Sequence, residues 1–303
     1  MNSKPISTLN AFLMITLIMF WGSSFVVVKI ALVEGLTPIA IATYRFLVAG
    51  ALFLLILFFK KARNYEYSLH IERKDFATLM ILALTGVVFF FTAQYTGIQM
   101  AGASIAAILV CLLSPIMITV FSTRIFKEKL SKKQVLGVAV AACGTFAVVA
   151  GSERATAPSN AEPMLGSLIL LSTPFLWTAY TLIGKKTMEK YDAFLVVAYV
   201  NMLGGICLVP FSLLEGSAHL ALNMSLYGWL AILFLSVTCS VLGYYIWFHV
   251  LRQTDASKVS SFLFAEPLIT VAFAVAFVNE TINLYVAAGG SLIFTGVYLV
   301  NKK

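Results

Sequence analysis

Two ionisable residues stand deep inside long apolar stretches of the sequence. Glu266 lies about ten residues into one stretch, about 15 Å deep at the rise of an α-helix, and Arg45 lies about 10 Å into another. A charged side chain at such a depth costs several kcal/mol unless it faces a cavity or a partner. Glu266 is therefore a candidate to carry a proton or to bind a substrate amine. Arg45 is a candidate to bind an anionic group, such as a carboxylate, with bidentate geometry.

Both residues also have purely structural interpretations, which the sequence leaves open. Glu266 could be a protonated carboxyl that hydrogen-bonds a neighbouring helix. Arg45 could extend toward the membrane surface or pair with an acidic side chain.

Two prolines fall within apolar stretches at positions where they break a helical hydrogen bond. Pro267 removes the bond to the Leu263 carbonyl, and Pro115 removes the bond to the Cys111 carbonyl. We expect each to kink its helix near mid-membrane and to free a carbonyl for a ligand or a polar side chain. The alternatives are a hinge or site-lining role and a tolerated packing kink.

Aromatic and polar side chains recur on several helices. Two pairs, Trp21 with Ser24 and Trp177 with Tyr180, stand three residues apart, a spacing that places each pair on one face of a helix. Such a face lines a cavity when it lies near mid-span and belongs to the aromatic belt when it lies near the membrane surface. The candidate cavity-lining set is Trp21, Ser24, Tyr95, Trp177 and Tyr180. Trp247 and Tyr245 are assigned to the belt.

The amino-acid composition indicates which kind of secondary structure holds these residues. The 303 residues are 60% hydrophobic and 11% charged, whereas soluble domains average about a quarter charged residues. The solvent must therefore be a lipid bilayer, in which apolar runs form helices because every backbone group needs a partner within its segment. We predict an all-α membrane protein with ten spans, near 9–31, 38–59, 76–96, 102–123, 133–151, 165–185, 193–213, 227–249, 257–278 and 284–301.

Basic residues concentrate in alternate loops of this arrangement, which accounts for the net charge of +8 without a nucleic-acid partner. They are Lys60, Lys61, Arg63, Arg73, Lys74, Arg124, Lys127, Lys129, Lys132, Lys133, Lys185, Lys186, Lys190, Arg252, Lys258, Lys302 and Lys303. Basic loops stay on the cytoplasmic side of a membrane. We therefore predict a multi-pass protein of the cell membrane with both termini in the cytoplasm.

The two halves of the chain match each other at a constant offset of 152 positions near their ends: Pro115 with Pro267, Glu128 with Glu280, Gly137 with Gly289, and Gly144 with Gly296. We predict one repeat at 9–151, an external linker at 152–164 and a second repeat at 165–301. Because five spans is an odd number, the second copy must insert upside down. Inverted repeats suit alternating access around a site near the midplane.

We predict structural roles for the acidic and glycine residues that match between the two halves. Glu128 and Glu280 fall at helix ends on opposite sides of the membrane, where we predict a gate or a loop-fixing contact. Gly137 and Gly144 lie on one stripe of small residues, echoed by Gly289 and Gly296, and such stripes let two helices approach closely.

These residues together resemble the EamA family of the drug/metabolite transporter superfamily. The matching positions are Trp21-Gly22-Ser23-Ser24-Phe25, Arg45-Phe46, Pro115, Glu128 and Gly137 in the first half, and Glu266-Pro267, Glu280, Gly289 and Gly296 in the second. The resemblance implies ten helices, cytoplasmic termini and transport of small metabolites, frequently export of amino acids. The second half has Trp177-Thr178-Ala179-Tyr180 and Asn201 in place of Trp-Gly-Ser-Ser and Arg45, so we expect the halves to contact substrate unequally.

We predict secondary active export of a small organic metabolite, an amino acid or a similar amphiphile, with a proton exchanged at Glu266. The expected partners are this substrate, the lipid bilayer and protons, in a monomer or a homodimer. No cofactor, metal or enzyme activity is expected, because the four cysteines and three histidines form no catalytic or metal-ligand cluster and no nucleotide-binding loop is visible. A passive facilitator is the nearest alternative, followed by a membrane-embedded enzyme and a seven-helix receptor.

Overall fold

The computed structural model describes residues 7–63, 68–125, 132–152, 162–254 and 256–301. These residues are almost entirely helical. The segments, numbered along the chain, are α1 (Thr8–Val33), α2 (Pro38–Arg63), α3 (Arg73–Ala101), α4 (Ala103–Ile125), α5 (Lys132–Ser152), α6 (Pro163–Thr187), α7 (Ala193–Leu214), α8 (Leu226–Gln253), α9 (Ala256–Ser260, Ser261–Ala265 and Glu266–Val278) and α10 (Leu284–Asn301). Glu128 and most of the predicted linker lie outside the described residues.

Six of these segments are long and apolar enough to cross a membrane: α1, α2, α3, α6, α7 and α8. Shorter apolar helices lie within α4, α5, α9 and α10. Large apolar side chains are exposed on the outer faces of the bundle, among them Phe58, Phe146 and Leu214. An outer surface of this kind is stable in lipid and not in water, so the structure agrees with a multi-pass membrane protein.

The predicted junction between the third and fourth helices is wrong in its position. We expected a break at residues 97–101, but α3 continues through Ala101 and only Gly102 separates it from α4. Gly102 has a φ of 94°, which is strained for any residue with a side chain. One glycine is therefore enough to turn the chain between two helices.

Three segments depart from regular α-helix close to the middle of the bundle. A π-helical stretch interrupts α3 at Leu84–Val88, and another interrupts α8 at Leu235–Leu242. A 3₁₀ stretch, Ser261–Ala265, precedes the last part of α9. Such irregular turns re-aim side chains and change which carbonyls are available, and they are frequent at functional sites.

The loops and helix ends that the structure describes gather at two opposite ends of the bundle. At the end we call the basic end, Lys190 after α6 binds Asp75 at the start of α3, with 2.6 Å between Nζ and Oδ2. Lys185 donates to the Thr254 carbonyl there at 2.8 Å. At the other end, which we call the Glu280 end, the backbone N–H of Ala103 donates to Glu280 at 2.7 Å.

The predicted close approach of two glycine stripes is confirmed, since α5 packs directly on α10. A Cβ atom built on Gly144 would lie 2.6 Å from the Gly289 carbonyl oxygen, and one built on Gly289 would lie 2.7 Å from the Gly144 carbonyl oxygen. No side chain fits at either position without moving a backbone. Elsewhere α2 packs on α7, α1 on α9, and α4 on α6.

Candidate functional site

The described residues surround a central cavity near the middle of the bundle, with a volume of about 50 Å³. Its walls come from α1, α2, α3, α4, α6, α8 and α9. The lining includes the two ionisable residues singled out from the sequence, Arg45 and Glu266, together with the aromatic rings of Trp21, Trp177 and Tyr244. A cavity of this volume holds a few water molecules, so binding of a larger molecule requires its walls to move apart.

Arg45 is buried in the wall of this cavity and is held by neutral groups. Its Nε donates to the Ser240 hydroxyl at 2.7 Å, and its Nη1 donates to the Tyr95 hydroxyl at 2.5 Å. The guanidinium carbon also lies 4.4 Å from the centre of the Phe91 ring, a cation–π distance. No carboxylate of the described residues forms an ion pair with Arg45. Its positive charge therefore remains available to an anionic ligand.

Glu266 is 3% exposed and is only half satisfied. Its Oε2 accepts a hydrogen bond from the Cys111 thiol at 2.9 Å, and its Oε1 has no partner among the described residues. A buried carboxyl oxygen without a partner has lost its hydrogen bonds to water and gained none from the protein, which costs free energy. A ligand with a donor group, or a proton, would satisfy it.

The 3₁₀ turn before Pro267 corrects one expectation from the sequence. We expected this proline to leave the Leu263 carbonyl free, but that carbonyl accepts the backbone N–H of Glu266. The tighter turn replaces the lost α-helical bond and places Glu266 at the start of the next helical stretch. Pro115, by contrast, remains inside the regular helix α4.

Tryptophan and tyrosine side chains form one contiguous aromatic wall. The rings of Trp21 and Trp177 meet edge to face, with centroids 5.4 Å apart. Trp21 donates its indole N–H to the Cys239 carbonyl at 3.1 Å, and Tyr244 donates its hydroxyl to the Gly86 carbonyl at 3.1 Å. Both carbonyls lie in the π-helical stretches of α8 and α3. The irregular turns thus fix the orientation of the rings that line the cavity.

The structure brings most of the predicted cavity-lining residues together. Trp21, Ser24, Arg45, Trp177 and Glu266 all line the central cavity. Two further predicted residues are buried beside the cavity but do not line it. Tyr95 accepts a hydrogen bond from Arg45, and Tyr180 packs on Trp177.

The assignment of Trp247 to the aromatic belt is wrong. Trp247 is 0% exposed and its ring lies 5.6 Å from that of Trp21 and 5.5 Å from that of Trp177. Trp247 is buried because it lies on the face of α8 that points into the bundle. Its distance from the end of the helix did not indicate which way the side chain points. Tyr245, two residues earlier, is 38% exposed on the outer side of the same helix.

Glu280 contacts the start of α4 instead of the central cavity. Its Oε1 accepts the Ala103 backbone N–H, and its Oε2 accepts the backbone N–H and the hydroxyl of Ser104 at 3.0 and 2.7 Å. A carboxylate at the amino end of a helix is favourable, because the first backbone N–H groups lack partners and the helix dipole is positive there. The contact joins the ends of α9 and α4.

Sequence reasoning missed several lining residues. Cys111 and Ser114 line the cavity from α4, and their spacing of three residues beside Pro115 was the available signal. Phe90 and Phe91 line it from α3, where a run of phenylalanines carried no indication of which ring turns inward. The π-helical stretches had no sequence signal that we recognised. Among the described residues, no group of three or more His, Cys, Asp or Glu side chains could hold a metal ion.

Comparison of the sequence and the fold with those of known proteins identifies the family of this chain. The sequence profile of the EamA-like transporter family matches residues 8–150 and again residues 164–302. An uncharacterized transporter of Archaeoglobus fulgidus is 30% identical over 304 residues, covering 100% of this chain and 99% of the relative. A solved crystal structure shares the fold, with a TM-score of 0.67 at 18% identity over 98% of this chain and 97% of that chain.

Two relatives carry names that mention a substrate. A protein of Salmonella typhimurium named a probable amino-acid metabolite efflux pump is 26% identical, covering 96% of this chain and 94% of its own length. A protein of Escherichia coli with the same name is 25% identical, covering 95% and 93%. The family profile matches both halves of the chain, and these relatives align with nearly the whole chain. The chain therefore belongs to the EamA-like transporter family.

Proposed function

We propose that this protein is a secondary transporter that exports amino acids or closely related metabolites across the cell membrane by alternating access. One observation carries the proposal: Arg45 and Glu266 are both buried in the wall of one aromatic-lined cavity, and both have unused hydrogen-bonding capacity. Two relatives with names that mention amino-acid metabolite efflux support the same reading.

The chemistry of the cavity matches a zwitterion with an apolar side chain. Arg45 offers charged N–H donors to a carboxylate, and charge-assisted bonds of this kind are about twice as strong as neutral ones. Glu266 offers an acceptor to an ammonium group. Trp21, Trp177 and Tyr244 offer ring faces and edges against which an apolar or aromatic side chain can pack.

The proposed membrane topology is that predicted from the sequence: ten spans, two inverted repeats at 9–151 and 165–301, and cytoplasmic termini. The family profile matches twice, once in each half. Among the described residues, Lys60, Lys74 and Lys190 form ion pairs at one end of the bundle, which supports that end as cytoplasmic. The cavity is formed within one chain, so each copy of a monomer or a homodimer contains a whole proposed site.

Glu280 is proposed to hold the external end closed. It lies at the end opposite to the basic loops and ties α9 to the amino end of α4 through three hydrogen bonds. Alternating access requires each end to open while the other is closed. Release of this contact would let α4 and α9 separate at their external ends.

Glu266 is proposed to carry the coupling proton. A carboxyl with one unpartnered oxygen in the cavity can hold either a proton or a substrate amine, so binding of one displaces the other. The alternative is passive facilitation, in which Glu266 binds substrate only. Accumulation of an amino acid in proteoliposomes against its gradient, driven by an imposed pH gradient, supports coupling, whereas simple equilibration supports the facilitator.

The substrate proposal is tested by counterflow in proteoliposomes with the twenty protein amino acids, each followed by mass spectrometry. We expect exchange of at least one amino acid, and an Arg45→Lys variant should raise the half-saturation concentration about tenfold because a lysine cannot form the bidentate contact. Arg252→Lys is the matched control, since Arg252 is exposed at the end of α8. Exchange of no amino acid by the wild-type protein would contradict the proposal.

A further inference from the structure

Besides Glu266 Oε1, four buried polar groups near the central cavity have no hydrogen-bond partner among the described residues. They are the indole N–H groups of Trp177 and Trp247 and the hydroxyls of Tyr180 and Thr181. Each of these residues is at most 4% exposed. A buried polar group without a partner is rare in folded proteins, and several in one place call for a specific explanation.

The four groups belong to neighbouring side chains on two helices. The ring of Trp177 on α6 lies 5.4 Å from that of Tyr180 and 5.5 Å from that of Trp247 on α8. Thr181 follows Trp177 by one helical turn, so it lies on the same face of α6. These residues form a set that we call the inner donor cluster.

The inner donor cluster lies between the central cavity and the basic end. Trp177 lines the cavity, and Tyr180 and Thr181 are one turn further along α6. Trp247 is likewise one turn beyond Tyr244, which lines the cavity from α8. Both helices then run to the basic end, where Lys185 after this point on α6 contacts the Thr254 carbonyl.

The chemistry of the cluster selects the kind of group that it can bind. An indole N–H only donates, and the two hydroxyls can donate as well. The two indole N–H groups therefore require an acceptor, to which the two hydroxyls can also donate, and the acceptor-rich group of an amino acid is its carboxylate. Neither an ammonium group nor an apolar side chain would satisfy these donors.

We propose that the inner donor cluster is a second binding station, which receives the carboxylate of the substrate on its way between the basic end and Arg45. This inference rests on the proposed transport of amino acids and adds a step to it. The station explains why a membrane protein keeps four unpaired donors in its interior, where polar groups are costly. Their partner is the substrate during passage.

The test uses Tyr180→Phe and Thr181→Val, each of which removes one donor and keeps the side-chain volume nearly unchanged. Tyr245→Phe and Trp229→Phe are the matched controls, because both residues are at least 37% exposed on α8. The probe is counterflow with an equimolar mixture of the twenty protein amino acids. Maximal rate, half-saturation concentration and thermal unfolding midpoint are measured for each protein.

We expect each cluster variant to lower the maximal rate about fivefold, the effect of losing one hydrogen bond of ordinary strength. The half-saturation concentration should stay within about twofold and the unfolding midpoint should not fall, because the removed donor has no partner in the resting structure. The control variants should match the wild-type protein.

Two outcomes would overturn the station. Cluster variants that exchange amino acids at the wild-type rate would show that the donors are satisfied by water alone and take no part in passage. Variants whose slower exchange is accompanied by a lower unfolding midpoint would show a packing role. Failure of the wild-type protein to exchange any amino acid would instead remove the proposed function, and the station with it.

Discussion

Glu280 accepts two hydrogen bonds from Ser104, one from the backbone N–H at 3.0 Å and one from the hydroxyl at 2.7 Å, although 176 positions separate the two residues in the chain. The contact joins the end of α9 to the start of α4 across the two halves. It places a carboxylate where α4 has unpaired N–H groups and a positive dipole end. An electrostatic contact of this kind can be released without unfolding either helix.

Replacement of Glu280 by glutamine should favour opening of the Glu280 end. The amide cannot accept as strongly as a carboxylate, and the loss of charge-assisted bonds corresponds to about a tenfold shift in population. The measurement is labelling of Cys111, which lines the cavity, by an impermeant maleimide added at that end, in a variant that retains no other cysteine. We expect about tenfold faster labelling.

The control for this experiment is Glu215→Gln. Glu215 lies at the same end and accepts from the Thr37 hydroxyl at 2.6 Å, and among the described residues no hydrogen bond joins it to α4. Equal labelling rates in wild-type protein and the Glu280 variant would reject a gating role and leave Glu280 as a simple helix cap.

Replacement of Glu266 by glutamine should abolish the response of transport to a pH gradient. The glutamine keeps the shape and an acceptor oxygen but cannot carry a proton. The other titratable or charged groups that line the cavity are Arg45, Cys111 and Tyr244. Counterflow, which needs no net proton movement, should persist while accumulation driven by the gradient is lost, with Glu189→Gln as an exposed control. An unchanged response to the gradient would exclude Glu266 as the proton carrier.

Lys190 organises an ion-pair cluster at the basic end. Its Nζ lies 2.5 Å from Glu72 Oε1 and 2.6 Å from Asp75 Oδ2. The Lys190 ammonium, assisted by Lys74, holds the pKa of the Glu72 carboxyl below its usual range, and hydrogen bonds to Asp75 and Glu72 raise the pKa of Lys190. The cluster therefore links the start of α3 to the loop after α6 as a charged network at neutral pH.

The direction in which the pKa of Glu72 is shifted determines how the stability that this cluster contributes depends on pH. A carboxyl with a lowered pKa in the folded state stabilises the fold above its ordinary pKa of about 4, and the contribution is lost as the pH falls through the lower folded value. Lys190→Gln should lower the unfolding midpoint at pH 7 by about 2 °C or less, because exposed ion pairs are weak.

That difference should shrink when unfolding is measured below a pH of about 4. It should also shrink at neutral pH in high salt, which screens exposed charges. Lys186→Gln is the control, since Lys186 is exposed and makes no ion pair among the described residues. A Lys190 variant whose deficit grows in acid would contradict the assigned sign.

Gly144→Ala should destabilise the protein through the contact between α5 and α10. The added Cβ would lie 2.6 Å from the Gly289 carbonyl oxygen and 2.7 Å from the Ile293 backbone nitrogen, so a helix must move. Overpacking of this kind costs about 1–3 kcal/mol, which should lower the unfolding midpoint by several degrees.

Gly290→Ala provides the matched control on the neighbouring face of α10. Its Cβ would meet the Ile108 side chain at 3.5 Å, an ordinary contact. This variant should keep the wild-type midpoint or raise it, since alanine favours a helix over glycine. Equal midpoints for the two variants would show that the α5–α10 packing tolerates a side chain.

The sequence by itself determined the class of the protein, the approximate course of its helices and the residues that stand out as chemical anomalies. These properties are local. A bilayer requires a long apolar run for each span, and Glu266 and Arg45 are conspicuous because a charge among apolar neighbours is costly wherever the helix packs. The glycine stripes predicted close helix packing for the same reason, since only small residues permit it.

Only the tertiary structure decided which helix faces meet. The thiol of Cys111 lies beside Glu266 although 155 positions separate them, and Trp247 turns inward where its position suggested the membrane surface. The hydrophobic pattern could not show this, because in a bundle of apolar helices the lipid-facing and protein-facing sides are equally apolar. The π-helical and 3₁₀ turns beside Trp21, Tyr244 and Glu266 likewise became visible only in the tertiary structure.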